Sequence, residues 1–485
     1  MKDSNINNTR DYLPRGRLFV VSNRLPVSLK NDNGKWSIYS STGGLVTAIT
    51  SVLKRQEGIW IGWPGTLNKV DLERLLEGST IKAGYTLEPV WLDKDEVSRY
   101  YFGFSNEVIW PLFHDIQSSC NFDPSYWEMY CAVNGKFAKK ISCNIENNDY
   151  IWIHDYHLMM AAHELRRLGT GNRIGFFLHI PFPSPDMYMK LPWRMEILRA
   201  LLEYDLVGFQ TLRDRNNFIH CVDIMIKGHA ADIRRNIAVI KTQNHKTMAG
   251  SFPISIDFRQ FASQAATRAV DEKARRLRSA SSNRQIILGL DRLDYSKGIP
   301  ERLRGFGDAL KRFPELIEKV TMVQVVVPSR EDVSAYTHLR TEIERIAGKL
   351  NGEFTEPGWV PIHYMYRSLD RVELLAYYRA ADIALITPLK DGMNLVSKEY
   401  CAAKVDKDGV LILSEFAGAA SQLHRDCLLV NPYDIKGIGD QIYRAFAMSK
   451  DERRMRMRRL RNLIARRDIF WWVEEFLSAA HREYR

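Results

Sequence analysis

Residues 284–291, RQIILGLD, are a short aliphatic run that stops at a charge and gives way to a helical-looking segment. The same unit recurs at VTMVQVVVP (320–328), ADIALITP (381–388) and GVLILSE (409–415). Strand-like runs alternating with longer amphipathic stretches specify an α/β class with mainly parallel sheets. Going towards the amino terminus, the turn-rich FPISIDF (252–258) interrupts the pattern, and before it lies a second series: RLFVVSN (17–23), GLVTAITSVLKR (44–55), GIWIGW (58–63), DYIWIHD (149–155), LMMAAHELRRLG (158–169) and RIGFFLH (173–179). A chain of 485 residues also exceeds the ~250 to 300 at which one core stops growing. Two doubly wound domains are expected, 1–252 and 253–467. The tail 468–485, DIFWWVEEFLSAAHREYR, is predicted as an amphipathic helix whose Phe470, Trp471, Trp472 and Phe476 need an apolar surface, supplied by crossing back onto the first domain.

A hydrophobic fraction of 45% beside 26% charged residues is that of a globular protein and argues against disorder. The polar start MKDSNINNTRDYLPRG lacks a secretory signal, and no apolar run approaches the ~20 residues of a membrane span, so a cytoplasmic protein is expected. Cys120, Cys131, Cys143, Cys221, Cys401 and Cys427 are scattered without CxxC spacing, which argues against structural zinc and a disulfide framework. The formal charge of +11 suits an anionic partner. Much of it lies in Arg453, Arg454, Arg456, Arg458, Arg459, Arg461, Arg466 and Arg467, interleaved with Met455, Met457, Leu460, Leu463 and Ile464. With no nucleic-acid motif alongside, this reads as a solvated helix face, with neither nucleic acid nor membrane as partner. Internal repeats and low-complexity segments are absent, and self-association is left open.

Ligands of open α/β sheets bind beyond the carboxyl ends of strands, where helix amino termini present N–H groups to anions. Ser41-Thr42-Gly43-Gly44 lies before a helix, and its glycines suit either a diphosphate-contacting loop or a plain turn. Asp291-Arg292-Leu293-Asp294-Tyr295-Ser296-Lys297-Gly298 sets two cations at a strand end, suited to a diphosphate leaving group or to a surface ion-pair cluster with Asp291 and Asp294. Ser329-Arg330 repeats a cation after a strand. In Leu389 to Tyr400, LKDGMNLVSKEY, loop amides can meet phosphate oxygens while Asp391 and Glu399 accept from hydroxyls; helix capping is the other reading of Asp391. His154-Asp155-Tyr156-His157 and the stretch Phe176 to Pro183 put polar groups at the ends of two further strands.

Several patterns point elsewhere and fail. His154, His157 and His163 lack the carboxylate pattern of a metal site such as HExxH, and GxGxxG is absent, so hydride chemistry has no support. Asp406-Lys407-Asp408-Gly409-Val410 has the outline of an aspartyl-phosphatase loop without its strand and reads as a turn. Asp93-Lys94-Asp95 resembles a metal-holding acidic pair, again without a strand before it.

Taken in order, VVSNRLPVS, STGGLVTA, GIWIGWPG, IWIHDYHL, RIGFFLHIPFPSPD, LDRLDYSKGIPER, TPLKDGMNLVSKEY and LSEFAGAA resemble the trehalose-6-phosphate synthase family of retaining glycosyltransferases, from about residue 17 to the end. The resemblance implies the glycosyltransferase B fold, two Rossmann-like domains facing across a deep cleft. It implies transfer of glucose from UDP-glucose to glucose 6-phosphate, giving α,α-trehalose 6-phosphate and UDP with retention and without cofactor or metal. By matching position, Gly43, Gly44, Arg292 and Lys297 are diphosphate contacts, Asp391 holds the transferred glucose and His179 meets its 6-hydroxyl. Leu369 and the run Asn394, Leu395, Val396, Ser397, Lys398 and Glu399 belong to the donor site, with Glu399 on the ribose. Arg24, Tyr101, Trp110, Asp155 and Arg330 form the acceptor site, and Trp110 and Ile180 match positions that choose the acceptor's anomer. Arg292, Lys297, Asp391, Asp155 and His179 are thus the candidate catalytic groups, none of them a general base. The extension before Arg17 matches nothing, and Met187 to Arg194 lies where relatives differ. Rival readings are a glucosylglycerol-phosphate synthase using glycerol 3-phosphate and a non-catalytic sugar-phosphate sensor; GDP- and ADP-glucose stand as alternative donors.

Overall fold

The structure, a computed structural model, describes residues 16–32, 35–40, 44–55, 57–77, 84–234, 236–243, 245–282, 284–329 and 334–482. The chain forms two compact units, one of residues 1–254 and 469–485, the other of residues 255–468.

In the first unit the strands are β1 (Leu18–Arg24), β2 (Val27–Asp32), β3 (Lys35–Ser40), β4 (Ile59–Trp63), β5 (Thr86–Pro89), β6 (Tyr150–His154), β7 (Ile174–Phe177), β8 (Leu206–Phe209), β9 (Ala230–Arg234), β10 (Ile237–Lys241) and β11 (Lys246–Ser251). Every residue of β4, β6, β7 and β8 is buried. A continuous apolar strand of this kind is what a parallel sheet covered on both faces requires. Among the described residues the sheet runs β5-β4-β1-β6-β7-β8-β11-β10-β9, parallel as far as β11 and antiparallel at β10 and β9. Counting only the parallel strands, the order is third, second, first, fourth and onward, the doubly wound arrangement. Its switch point lies between β1 and β6, which pair from Leu18↔Tyr150 to Ser22↔His154.

The antiparallel hairpin β2–β3 stands between β1 and the helix Gly44–Arg55, where the sequence reading passes directly from strand to helix. The Asn33-Gly34 pair is the sequence signal that finds it. A second departure is the 13-residue π-helical segment Val97–Ile109. Such i→i+5 bonding is rare beyond a single turn and frequent near functional sites.

The helix Ile469–His481 packs on this unit. Trp472 and Phe476 are fully buried against Trp152 at ring separations of 5.2 and 4.5 Å, and the Trp472 indole donates to the Phe252 carbonyl at 3.1 Å. A Cβ on Gly208 would collide with Phe476, so the bare backbone of β8 admits the ring. Phe470 does not share in this: it is 40% exposed, because the buried stripe runs through Ile469, Trp472, Val473, Phe476 and Leu477 and leaves position 470 off it.

The second unit contains β12 (Gln285–Arg292), β13 (Val320–Val327), β14 (Ile362–Tyr366), β15 (Ile383–Ile386), β16 (Val410–Ser414) and β17 (Leu428–Val430). Among the described residues they form one parallel sheet, β14-β13-β12-β15-β16-β17, with its switch point between β12 and β15. The arginine-rich helix Lys450–Arg466 buries Met457, Leu460 and Ile464. Arg453 pairs with Asp408 at 2.7 Å, Arg456 with Glu452 at 2.8 Å and Arg459 with Asp426 at 3.4 Å.

Candidate active site

At the switch point of the second unit, β12 ends on Arg292, whose side chain is exposed. The chain then turns because the Asp294 carboxylate accepts from the Ser296 N–H at 2.9 Å and its hydroxyl at 2.8 Å. Gly298 completes the turn at φ +60°, where a Cβ would run into the Thr387 carbonyl. This brings the Lys297 ammonium to 2.7 Å from Asp391, which follows β15 on the other side of the switch point. Burial opposes the charge on Lys297, but Asp391 and then Asp294 outweigh it and hold the ammonium above its usual value. The surface ion-pair cluster does not form: Asp291 is buried and taken by Arg302 at 2.5 Å. Nor does Asp391 cap a helix. That place belongs to Asn394, at φ 74°, whose side-chain Oδ1 accepts from the Ser397 N–H at 3.0 Å while its Nδ2 donates to Asp391 at 3.2 Å.

Beyond Asn394 the helix Leu395–Ala403 divides its residues. Leu395 and Val396 are half-buried. Ser397 turns its hydroxyl back to the Asn394 backbone carbonyl and buried Lys398 donates to Gln422 at 2.8 Å, so both side chains are engaged within the protein, and the Ser397 N–H is engaged by the Asn394 cap. Burial, followed by the charge of Arg467, pushes Lys398 down to about 7. Burial raises the Glu399 carboxyl, partly offset by the Tyr378 hydroxyl that donates to it at 2.8 Å. Leu369 is half-buried just before the helix Arg371–Ala380 that carries Tyr378.

The first unit gathers its own set at its switch point. Arg24 ends β1 with its guanidinium 4.7 Å from the Trp63 ring centre. Trp63 meets Tyr101 edge-on at 6.0 Å, Tyr101 stacks on His157 at 5.8 Å, and Tyr156 links His157 to Trp110, with separations of 4.0 and 5.8 Å. Asp155 follows β6 with φ 75° and ψ 165°, a region that is essentially the preserve of glycine. Its carboxylate accepts from the His179 N–H at 3.2 Å, and burial raises the carboxyl to about 7. His179 and buried Ile180 follow β7 and a single leucine; burial pushes His179 down to about 3, so its ring is neutral. His163 pairs instead with Glu203 at 2.8 Å, away from His154 and His157. Gly44 opens the helix Gly44–Arg55, whereas Gly43 and Arg330 lie outside the described residues.

Asp155 stores backbone strain at the switch point of the first unit. Asp155→Gly should therefore stabilise the fold by about 1–3 kcal/mol while removing most activity. Because the folded carboxyl titrates near 7 and the unfolded one near 4, wild-type stability falls as pH rises between these values. The advantage of the glycine variant should grow over the same interval and level off above it, which urea unfolding at pH 4, 6 and 8 would measure.

The sequence profile of glycosyltransferase family 20 matches residues 16–482. The chain belongs to glycosyltransferase family 20. This family 20 chain is 41% identical over 469 residues to the trehalose-6-phosphate synthase of Mycobacterium leprae, covering 95% of this chain and 93% of the relative. Among solved structures, an E. coli protein bound with UDP-2-fluoro glucose superposes with a TM-score of 0.87 at 37% identity, over 97% of this chain and all of that one. An α,α-trehalose-phosphate synthase from Burkholderia xenovorans in complex with glucose-6-phosphate gives 0.86 at 34% identity, over 96% of this chain and all of that one.

Residue-level reading of the family 20 chain did not find Arg302, Tyr378 or a partner for His179. Arg302 had a signal: it lies between Ile299 and Phe306 on the apolar stripe of its helix, where a cation needs a buried acid. Tyr378 had none, and neither did the pairing of His154 with His179, since these partnerships join residues distant in sequence.

Proposed function

We propose that the chain is a retaining glucosyltransferase that moves glucose from UDP-glucose to glucose 6-phosphate, forming α,α-trehalose 6-phosphate and UDP. The supporting observation is that each unit carries, at its own switch point, residues suited to one of the two ligands bound in its relatives. Lys297, Asp391, Asn394 and the amides of the helix Leu395–Ala403 suit a nucleotide sugar. Arg24, Tyr101 and Asp155 suit a sugar phosphate.

The bond from the anomeric carbon to the diphosphate oxygen breaks as the acceptor hydroxyl attacks on the same face, and its proton passes to the departing oxygen. Arg292 and Lys297 neutralise the charge that develops there, so positioning and electrostatics supply most of the rate. The diphosphate competes with Asp391 for Lys297, and the carboxylate freed by that exchange turns to the sugar hydroxyls. Glu399, held by Tyr378, accepts from the ribose. Free thiols and sugar-nucleotide substrates suit a cytoplasmic enzyme.

UDP release from UDP-glucose in the presence of chelator should require glucose 6-phosphate, and the product should be an α,α-linked disaccharide phosphate by NMR. Turnover with glycerol 3-phosphate alone would overturn the acceptor, and silence with every nucleotide glucose would leave a sensor.

A further inference from the structure

His154 ends β6 and His179 lies two residues past the end of the neighbouring parallel strand β7, and His154 Nδ1 lies 3.1 Å from His179 Nε2. The rings are set by packing: His154 against Trp152 at 4.6 Å, His179 against Phe177 at 4.8 Å, with Trp472 of the last helix 6.4 and 6.2 Å from the two. His154 is 2% exposed, and its Nε2 is buried with no hydrogen-bond partner. His179 is only partly buried, and its Nδ1 is not among the buried, unpartnered atoms.

Two neutral imidazoles sharing one hydrogen bond have two arrangements. If His179 donates through Nε2–H, His154 must accept at Nδ1 and carry its own proton on Nε2, leaving an N–H buried without an acceptor. If His154 donates through Nδ1–H, its orphaned Nε2 is a bare lone pair and His179 carries its proton on Nδ1. Buried unpaired N–H groups are the rarer defect, since an unsatisfied acceptor is tolerated more readily than an unsatisfied donor. That difference outweighs the mild intrinsic preference of imidazole for Nε2–H. Burial holds both rings neutral, His179 down to about 3 and His154 well below its usual value.

We propose that His154 is a positioning residue that fixes His179 in its Nδ1–H tautomer, so that His179 presents a hydrogen-bond donor to the 6-oxygen of the transferred glucose. This rests on the reading above that His179 meets that oxygen. The 6-hydroxyl is thereby read as an acceptor and must send its own proton elsewhere. Fixing a histidine's tautomer through its other nitrogen is how outer partners commonly control a ring, with effects of 10–100-fold when they are removed.

The test has two independent arms. Histidine-specific 15N NMR of the ligand-free protein, with His179 assigned by difference from a His179→Gln variant, should show a protonated Nδ1 and an unprotonated Nε2. The reverse pattern overturns the proposal whatever the protein's substrate. Kinetically, His154→Phe should lower kcat/KM for UDP-glucose by about 10–100-fold with the KM for glucose 6-phosphate unchanged. His154→Asn, whose amide can donate from the place of Nδ1, should restore most of it. With UDP-6-deoxyglucose, which lacks the oxygen, the His154→Phe penalty should vanish; an equal penalty with both donors would reduce His154 to packing. An equal loss with both donors in His179→Gln would instead show that His179 does not meet the 6-oxygen, a failure of the underlying reading.

Discussion

Arg292→Ala is expected to lower kcat by about 10³-fold and leave the unfolding transition unmoved. Arg292 is exposed at the end of β12, and both carboxylates near it in sequence are engaged elsewhere, Asp291 by Arg302 and Asp294 by Ser296. Among the described residues its removal therefore breaks no ion pair, and on the proposed reaction what is lost is charge directed at a departing diphosphate. Arg292→Lys keeps the charge without the planar fork and should recover only part of the rate. Steady-state kinetics beside urea unfolding decide the matter: a variant that turns over normally, or one that fails only because it unfolds, removes Arg292 from the reaction.

The opposite signature is expected five residues past Lys297. Arg302 is completely buried, with its guanidinium on Asp291 at 2.5 Å, Gln324 at 3.3 Å, the Thr387 hydroxyl at 3.1 Å and the Lys297 carbonyl at 3.4 Å. Arg302→Met leaves Asp291 without its charge partner in the core of the second unit and should destabilise that unit by about 3–5 kcal/mol. Replacing both partners, as Arg302→Met with Asp291→Leu, should restore much of the loss. The single variant should also unfold more readily at pH 8 than at pH 5. Burial already raises the Asp291 carboxyl against the pull of Arg302; without Arg302 it rises further, and stability is lost as pH climbs through that value. Urea unfolding of the wild type, Arg302→Met, Asp291→Leu and the double variant at both pH values measures the coupling.

The alternation of apolar runs with amphipathic segments was legible because strands buried on both faces must be continuously apolar, as in IWIGW and YIWIH. The charges that end those strands were legible for the same reason, since packing does not explain them. What was not legible follows from backbone geometry and long-range pairing. Nothing local announces that Asp155 adopts a conformation suited to glycine, or that Asn394 does the capping at positive φ. In the π-helical segment that carries Tyr101, Val97, Tyr100, Phe104 and Val108 recur at ordinary helical spacing, so nothing in the pattern separates i→i+5 from i→i+4 bonding, and its residues matched the family pattern while its shape escaped the sequence.

The return of the last helix to the first unit makes the second unit an insertion within the first. On the ribosome, everything up to Ile254 is synthesised before the second unit begins, and Ile469 follows about 210 residues later. At roughly 5–20 residues per second, the nascent first unit waits about 10–40 s for the helix that covers Trp152, Phe177 and Phe252. Over that interval an aromatic face is open to chaperones and to neighbouring nascent chains. The helix Ile469–His481, rather than the first 254 residues, therefore sets the moment at which the first unit is finished.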